Sequence, residues 1–187
     1  VNSKFDHFKA LNSELSTDGD RACAIVCASI LDNHLEELLK CRLTPNSSSK
    51  DTLFDDSNAP LGTFSVRIDL SCRLGLISPR LARDLHLIRK VRNDFAHSYI
   101  PLKFEDAMVC DRVKAIVQSC DIPKRHPLAA ESPYDTLKGK FVMVVIFLML
   151  SLQDLIKNTK AATPALEASE IIYDPNFELV EGTSRSK

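Results

Sequence analysis

The stretch Phe141 to Leu150 constrains this chain more than any other: ten consecutive apolar residues, with Lys138 and Lys140 before it and Gln153 and Asp154 after it. A helix that crosses a bilayer needs about 20 apolar residues in a row. This run is half of that, so it must be covered by protein, as a core helix or as an oligomer interface. The whole periodic segment, about Tyr134 to Asn158, reads as one long helix. A chain with such a helix needs others to bury it, and nearly every other periodic segment has the 3.6-residue period.

Those segments are easily placed. Ser3 to Leu15 is a short helix with a stripe of Phe5, Phe8 and Leu11 or Leu15. A long helix is expected from about Asp20 to Leu43; its first half, Ala22 to Leu31, is apolar on almost every face and is expected to be central. Pro60 opens a helix of about 15 residues that Gly75 ends. Ser78 and Pro79 read as N-cap and first residue of the next, which runs to about Tyr99 before Pro101. A fifth spans Phe104 to Ser119. The linkers are the serine-rich Thr44 to Ala59 and the proline-rich Asp121 to Pro133. The expectation is an all-α fold: a single-domain bundle of about six helices over residues 1–160, with an extended C-terminal arm at 161–187 in which Ile171, Ile172, Tyr173 and Phe177 have apolar surface to pack.

Composition removes several function classes. Lys and Arg number 24 against 25 Asp and Glu, which argues against coating nucleic acid through bulk charge. Trp is absent and aromatic residues are 6%, a poor basis for a base-stacking surface. No glycine-rich loop has the spacing that cradles a phosphate. The six cysteines sit mostly inside apolar helical patterns, where a free thiol acts as a small hydrophobe. Cys23 and Cys27 share a helix face but lack the further ligands of a metal site. No metal or cofactor is expected, no signal peptide is read, and the expected setting is a cytoplasm with reduced thiols. His7, His34 and His126 are read as surface residues, and Ile122 to Pro127 as a solvated basic loop.

The segment Pro79 to Tyr99 carries the candidate site. On a helical wheel Leu81, Ile88, Val91 and Phe95 cluster on one side. His86, Lys90, Asn93 and His97 fall in a narrow opposite arc, with Arg89 beside it and Arg92 at the edge of the apolar arc. Asn93 and His97 are four apart, a spacing at which the amide can orient the imidazole. One reading is a solvated basic face whose terminal His is favoured by the helix dipole. Another is a phosphate-holding cluster of Arg92, Asn93 and His97, the Arg stabilising charge and the His moving protons, with a symmetric dimer supplying a second His97. A third is that Asn93, Asp94 and His97 tie the helix end to a neighbouring loop. Asp84 falls inside the apolar arc and needs a cation; Arg67 or Arg21 are the expected partners. Asp32 and Glu36, four apart, require an arginine between them, again Arg21 or Arg67.

Two resemblances bear on function. Arg92-x-x-x-x-His97, with Asn93 after the Arg, resembles the motif of the HEPN superfamily of helical domains. Many members are dimeric metal-free ribonucleases and others are non-catalytic; the resemblance implies Arg92, Asn93 and His97 as site residues if the chain is a nuclease. A longer stretch is similar to the mannitol operon repressor family. It includes Asp20 to Val26, Leu35 to Leu39, Leu53-Phe54, Ala59 to Ile68, Gly75 to Ser78 and Asp84 to Arg89 running into His97. That resemblance implies an all-helical cytoplasmic protein that represses the genes for mannitol uptake and oxidation.

Repression by direct reading of DNA needs an exposed basic recognition helix. Ser71, Gly75, Ile77-Ser78 and Leu81 have roughly helix-turn-helix spacing, with Arg80 and Arg83 on the second helix. That helix also carries Asp84 and runs on to Phe95, which suits a core helix better. The expectation is therefore a non-enzymatic regulator of the mannitol operon, a homodimer acting through another transcriptional regulator or RNA, with no membrane partner and direct duplex binding disfavoured. His86, Arg89, Lys90, Arg92, Asn93 and His97 are the candidate contact residues. The alternative is a HEPN-type endoribonuclease.

Overall fold

Long amphipathic helices joined by polar linkers bury their stripes against each other, and the computed structural model is built that way. It describes residues 15, 17–55, 58–120 and 135–164. Among the described residues five helices follow in order: α1 (Asp20–Arg42), α2 (Phe64–Arg73), α3 (Pro79–His97), α4 (Ala107–Cys120) and α5 (Leu137–Asn158). Contacts run α1 to α3, α3 to α4, α4 to α5 and back from α5 to α1, a closed ring of four; α2 lies across α1 and α3. Among the described residues there is no strand. The fold is an all-α, single-domain bundle.

The apolar run becomes the inner wall of α5. Phe141 to Ile146 are at most 1% exposed, and Leu148 and Leu152 continue the buried face. α5 is long and apolar enough by composition to cross a membrane, but its most apolar turns are occupied by this bundle. α1 is central as expected, burying Cys23, Ala24, Cys27, Ala28, Leu31, Leu35, Leu38 and Leu39. Its first half is not covered all round: Ala22 is exposed and Val26 is 40% exposed. Three phenylalanines form a chain of tilted ring contacts through the core, Phe95 and Phe104 with centroids 5.1 Å apart and Phe104 and Phe141 5.2 Å apart. Phe104 belongs to the α3–α4 connection, so that link is fastened inside the bundle.

Helix ends follow local chemistry. Ser78 Oγ accepts from Leu81 N at 3.2 Å with Pro79 in the first turn, as the sequence predicts. α2 begins later than Pro60, because Gly62 N donates to Ala59 O in a turn and Thr63 Oγ1 then caps Val66 N. α4 begins at Ala107 rather than Phe104, since Phe104 is drawn into the core and Asp106 Oδ2 accepts from Lys103 N. α5 begins at Leu137, capped by Thr136 Oγ1 on Gly139 N. α3 stops at His97, with Ser98 N donating to Asp94 O. Of the first expected helix only Leu15 is described, helical and 1% exposed. The proline-rich loop and residues 165–187 of the expected arm lie outside the described residues.

Gly75 closes α2 with φ of 71°, while Leu76 N donates back to Ser71 O. A Cβ there would meet nothing within 4 Å, so any cost of substitution is backbone strain. Gly75→Ala should lower stability by about 1 kcal/mol in urea unfolding; no change would show that the turn relaxes to negative φ.

Candidate functional site

α3 owes its position to Ala82, Leu85, Ile88, Val91 and Phe95, which are buried and aim the rest of the helix outward. The six candidate residues then separate. His86 is half-buried and its Nε2 lies 3.0 Å from Asp69 Oδ1 on α2. Lys90 is exposed and makes no ion pair among the described residues. Arg89 is half-buried, and its Nε has no hydrogen-bond partner among the described residues. Arg92 and Asn93 are half-buried and His97 is exposed. Among the described residues no hydrogen bond joins Asn93 to His97. Arg92 and His97, five residues apart, leave the α3 axis about 140° from one another. Among the described residues Asp94, rather than Asn93, has a side-chain partner: it pairs with Arg112 of α4.

The two carboxylate questions resolve differently. Arg67 does lie between Asp32 and Glu36, with Nη1 at 2.8 Å from Asp32 Oδ1 and Nη2 at 2.6 Å from Glu36 Oε2. Its Nε donates to Leu61 O at 2.8 Å, and its side chain is 8% exposed. Lys40 extends the network to Glu36 at 2.7 Å and lies over the Phe54 ring. Asp84 pairs with neither Arg67 nor Arg21. It is 3% exposed, accepts from Ser119 Oγ of α4 at 2.5 Å and pairs with Arg83 at 3.2 Å. Arg21 instead donates to Ser98 O at 2.7 Å, past the end of α3. Helical periodicity placed Asp84 in the apolar arc correctly, but its partners come from α4 and from the preceding residue.

Ser119 also accepts from Arg80 Nε at 3.2 Å and Arg83 Nη2 at 2.8 Å. The two arginines at the start of α3, which a DNA-reading helix would present to bases, are thus turned back onto α4. Burial, and then the Asp84 carboxylate, push the adjacent Cys120 thiol up to about 11.

His34 is not a simple surface residue. It is half-buried with Nδ1 2.7 Å from Ile30 O and Nε2 3.2 Å from Gln153 Nε2. A carbonyl only accepts, so Nδ1 carries the proton and the Gln153 amide donates to Nε2, tying α1 to α5. His7 and His126 lie outside the described residues. Cys23 and Cys27 are both 0% exposed within the core.

One feature of the surface had no signal in the linear sequence. A cleft of about 590 Å³ opens between α2 and α3, lined by Asp69, Cys72, Arg73, Pro79, Ala82, Arg83, His86, Leu87 and Lys90. Of the candidates only His86 and Lys90 line it. A cleft of similar volume beside the Thr44–Phe54 loop has Lys40 on its wall, but that ammonium is already paired with Glu36.

No family model and no curated protein matches the chain. Among solved structures, the MtlR–HPr complex from Escherichia coli is similar, with 22% identity, 79% of this chain and 97% of that chain covered, and a TM-score of 0.47.

Proposed function

We propose that this chain represses transcription of a mannitol-utilisation operon, and that it does so by engaging a protein partner rather than by reading duplex DNA. The observation that carries the mode of action is the packing of Arg80 and Arg83 onto Ser119 and Asp84. A recognition helix needs such side chains free to reach base edges; here both, though solvent-exposed, are hydrogen-bonded to Ser119 of α4. The operon itself is suggested by the resemblance over Asp20 to His97. On this reading the chain is not an enzyme, and Arg92 and His97 carry no chemistry of their own. Their divergence on α3 and the absence of an Asn93–His97 hydrogen bond support that part.

The test is a reporter under the mannitol promoter, combined with binding of the purified chain to promoter duplex and transcript in EDTA at two salt concentrations. Repression in cells without duplex binding in the tube is the expected result. HPr is the first protein to add, since it is the one present with MtlR in the Escherichia coli complex. The double variant Arg92→Ala/His97→Ala should keep its helical circular dichroism, melt within a few degrees of the parent and still repress. Metal-independent RNA cleavage that disappears in this variant would make the protein a ribonuclease. Tight duplex binding by the chain alone would restore direct DNA reading.

A further inference from the structure

We propose that the cleft between α2 and α3 is a docking site for an acidic amphipathic segment of a partner protein. The inference rests on the protein-partner reading above and adds the surface and the chemistry of the partner. The wall of the cleft carries Arg73, Arg83 and Lys90, with His86, against the one carboxylate of Asp69. The chain as a whole is balanced at a formal charge of −1, so this is a local concentration of positive charge. Arg73 and Lys90 are exposed and, among the described residues, neither has an ion pair. Asp69 is spent on His86 at 3.0 Å and Arg83 is drawn toward Asp84. The two uncommitted cations are therefore the ones with charge to offer.

Cys72, Pro79, Ala82 and Leu87 give the same cleft an apolar lining. A bare phosphate would use the cations and waste that lining; a purely apolar helix would strand the cations. A helix with leucine-type residues on one side and carboxylates beside them uses both. Size agrees: Pro79 to Lys90 spans about 17 Å along α3, roughly three turns of a guest helix. Opposite charge at the rim would set orientation and approach rate, while the apolar contact would hold the complex.

The experiment uses the full chain and a fluorescently labelled peptide with leucines at helical spacing and glutamates elsewhere, read by anisotropy. A control peptide carries lysines for the glutamates. Arg73→Glu/Lys90→Glu should weaken the glutamate peptide by at least about tenfold, and Lys90→Arg should keep it. Both cations are exposed, so circular dichroism of the variants should match the parent. Equal binding by parent and Arg73→Glu/Lys90→Glu, equal binding of both peptides, or no binding of the glutamate peptide would each overturn the proposal. So would a single-stranded oligonucleotide that binds the parent and displaces the glutamate peptide. The reporter keeps the two claims apart. A parent chain that represses but ignores the peptide removes the cleft and leaves the regulator; a chain that fails to repress removes the regulator, whatever the peptide does.

Discussion

Arg67→Ala should destabilise the protein by about 3 kcal/mol, because it leaves two carboxylates without their common cation. The Arg67 side chain is 8% exposed, and its guanidinium bridges Asp32 and Glu36, whose side chains are 23% and 25% exposed. Partial solvation of those carboxylates keeps the loss toward the low end for a broken buried pair. The same guanidinium also satisfies Leu61 O, in the turn that leads into α2. Three attachments therefore fail at once, and α2 loses its polar hold on α1. Arg67→Lys keeps the charge but not the forked geometry, so an intermediate loss is expected. Urea unfolding of the parent and both variants measures this. A loss below about 1 kcal/mol for Arg67→Ala would mean that the network is merely a solvated ion pair.

Phe104→Ala is expected to cost about 4 kcal/mol, the larger of the two effects, through the cavity that a deleted core ring leaves. Phe104 is 0% exposed although it lies between helices, and it sits between Phe95 and Phe141. Its backbone N–H donates to Asp20 Oδ2 at 3.1 Å, so the connection is also pinned at the start of α1. Phe104→Leu retains most of the volume and should cost about 1.5 kcal/mol or less. Calorimetric melting of both variants separates volume from ring geometry. If the alanine variant lost no more than the leucine variant, the site would be collapsing around the gap.

The helices were legible because their stripes repeat at 3.6 residues, and Ser78-Pro79 marked the start of α3, whereas the Thr63 and Thr136 caps, which set the starts of α2 and α5, were not read. Asp32 and Glu36 even announced an arginine, since two like charges one turn apart are costly without one, and Arg67 supplies it. Other features were hidden for a common physical reason: they exist only where separate helices meet. Asp84 finds Ser119 across 35 residues, and nothing local in either segment names the other. His34 looked like a surface residue because Gln153, its partner, is 119 positions away. Asn93 and His97 have suitable spacing for a hydrogen bond, yet spacing permits a contact without making it. His86 and Lys90 could be read from the polar arc, but the cleft beside them needs Asp69, Cys72 and Arg73 from α2.

The tethers on α1 have a consequence for the order in which this molecule can be made. Arg21 holds Ser98, Asp20 holds Phe104, Arg42 accepts from Ala162, and Lys138 reaches Asp18 across 120 residues. During synthesis α1 emerges well before α5, the helix that covers much of it, so Leu31, Leu35 and Leu38 wait to be covered. Closure of the ring must wait for α5, and a ribosome stalled before Leu137 would hold a nascent chain whose first long helix is still wet on one side. Apolar surface left open over that interval is what makes a partly made chain prone to aggregate.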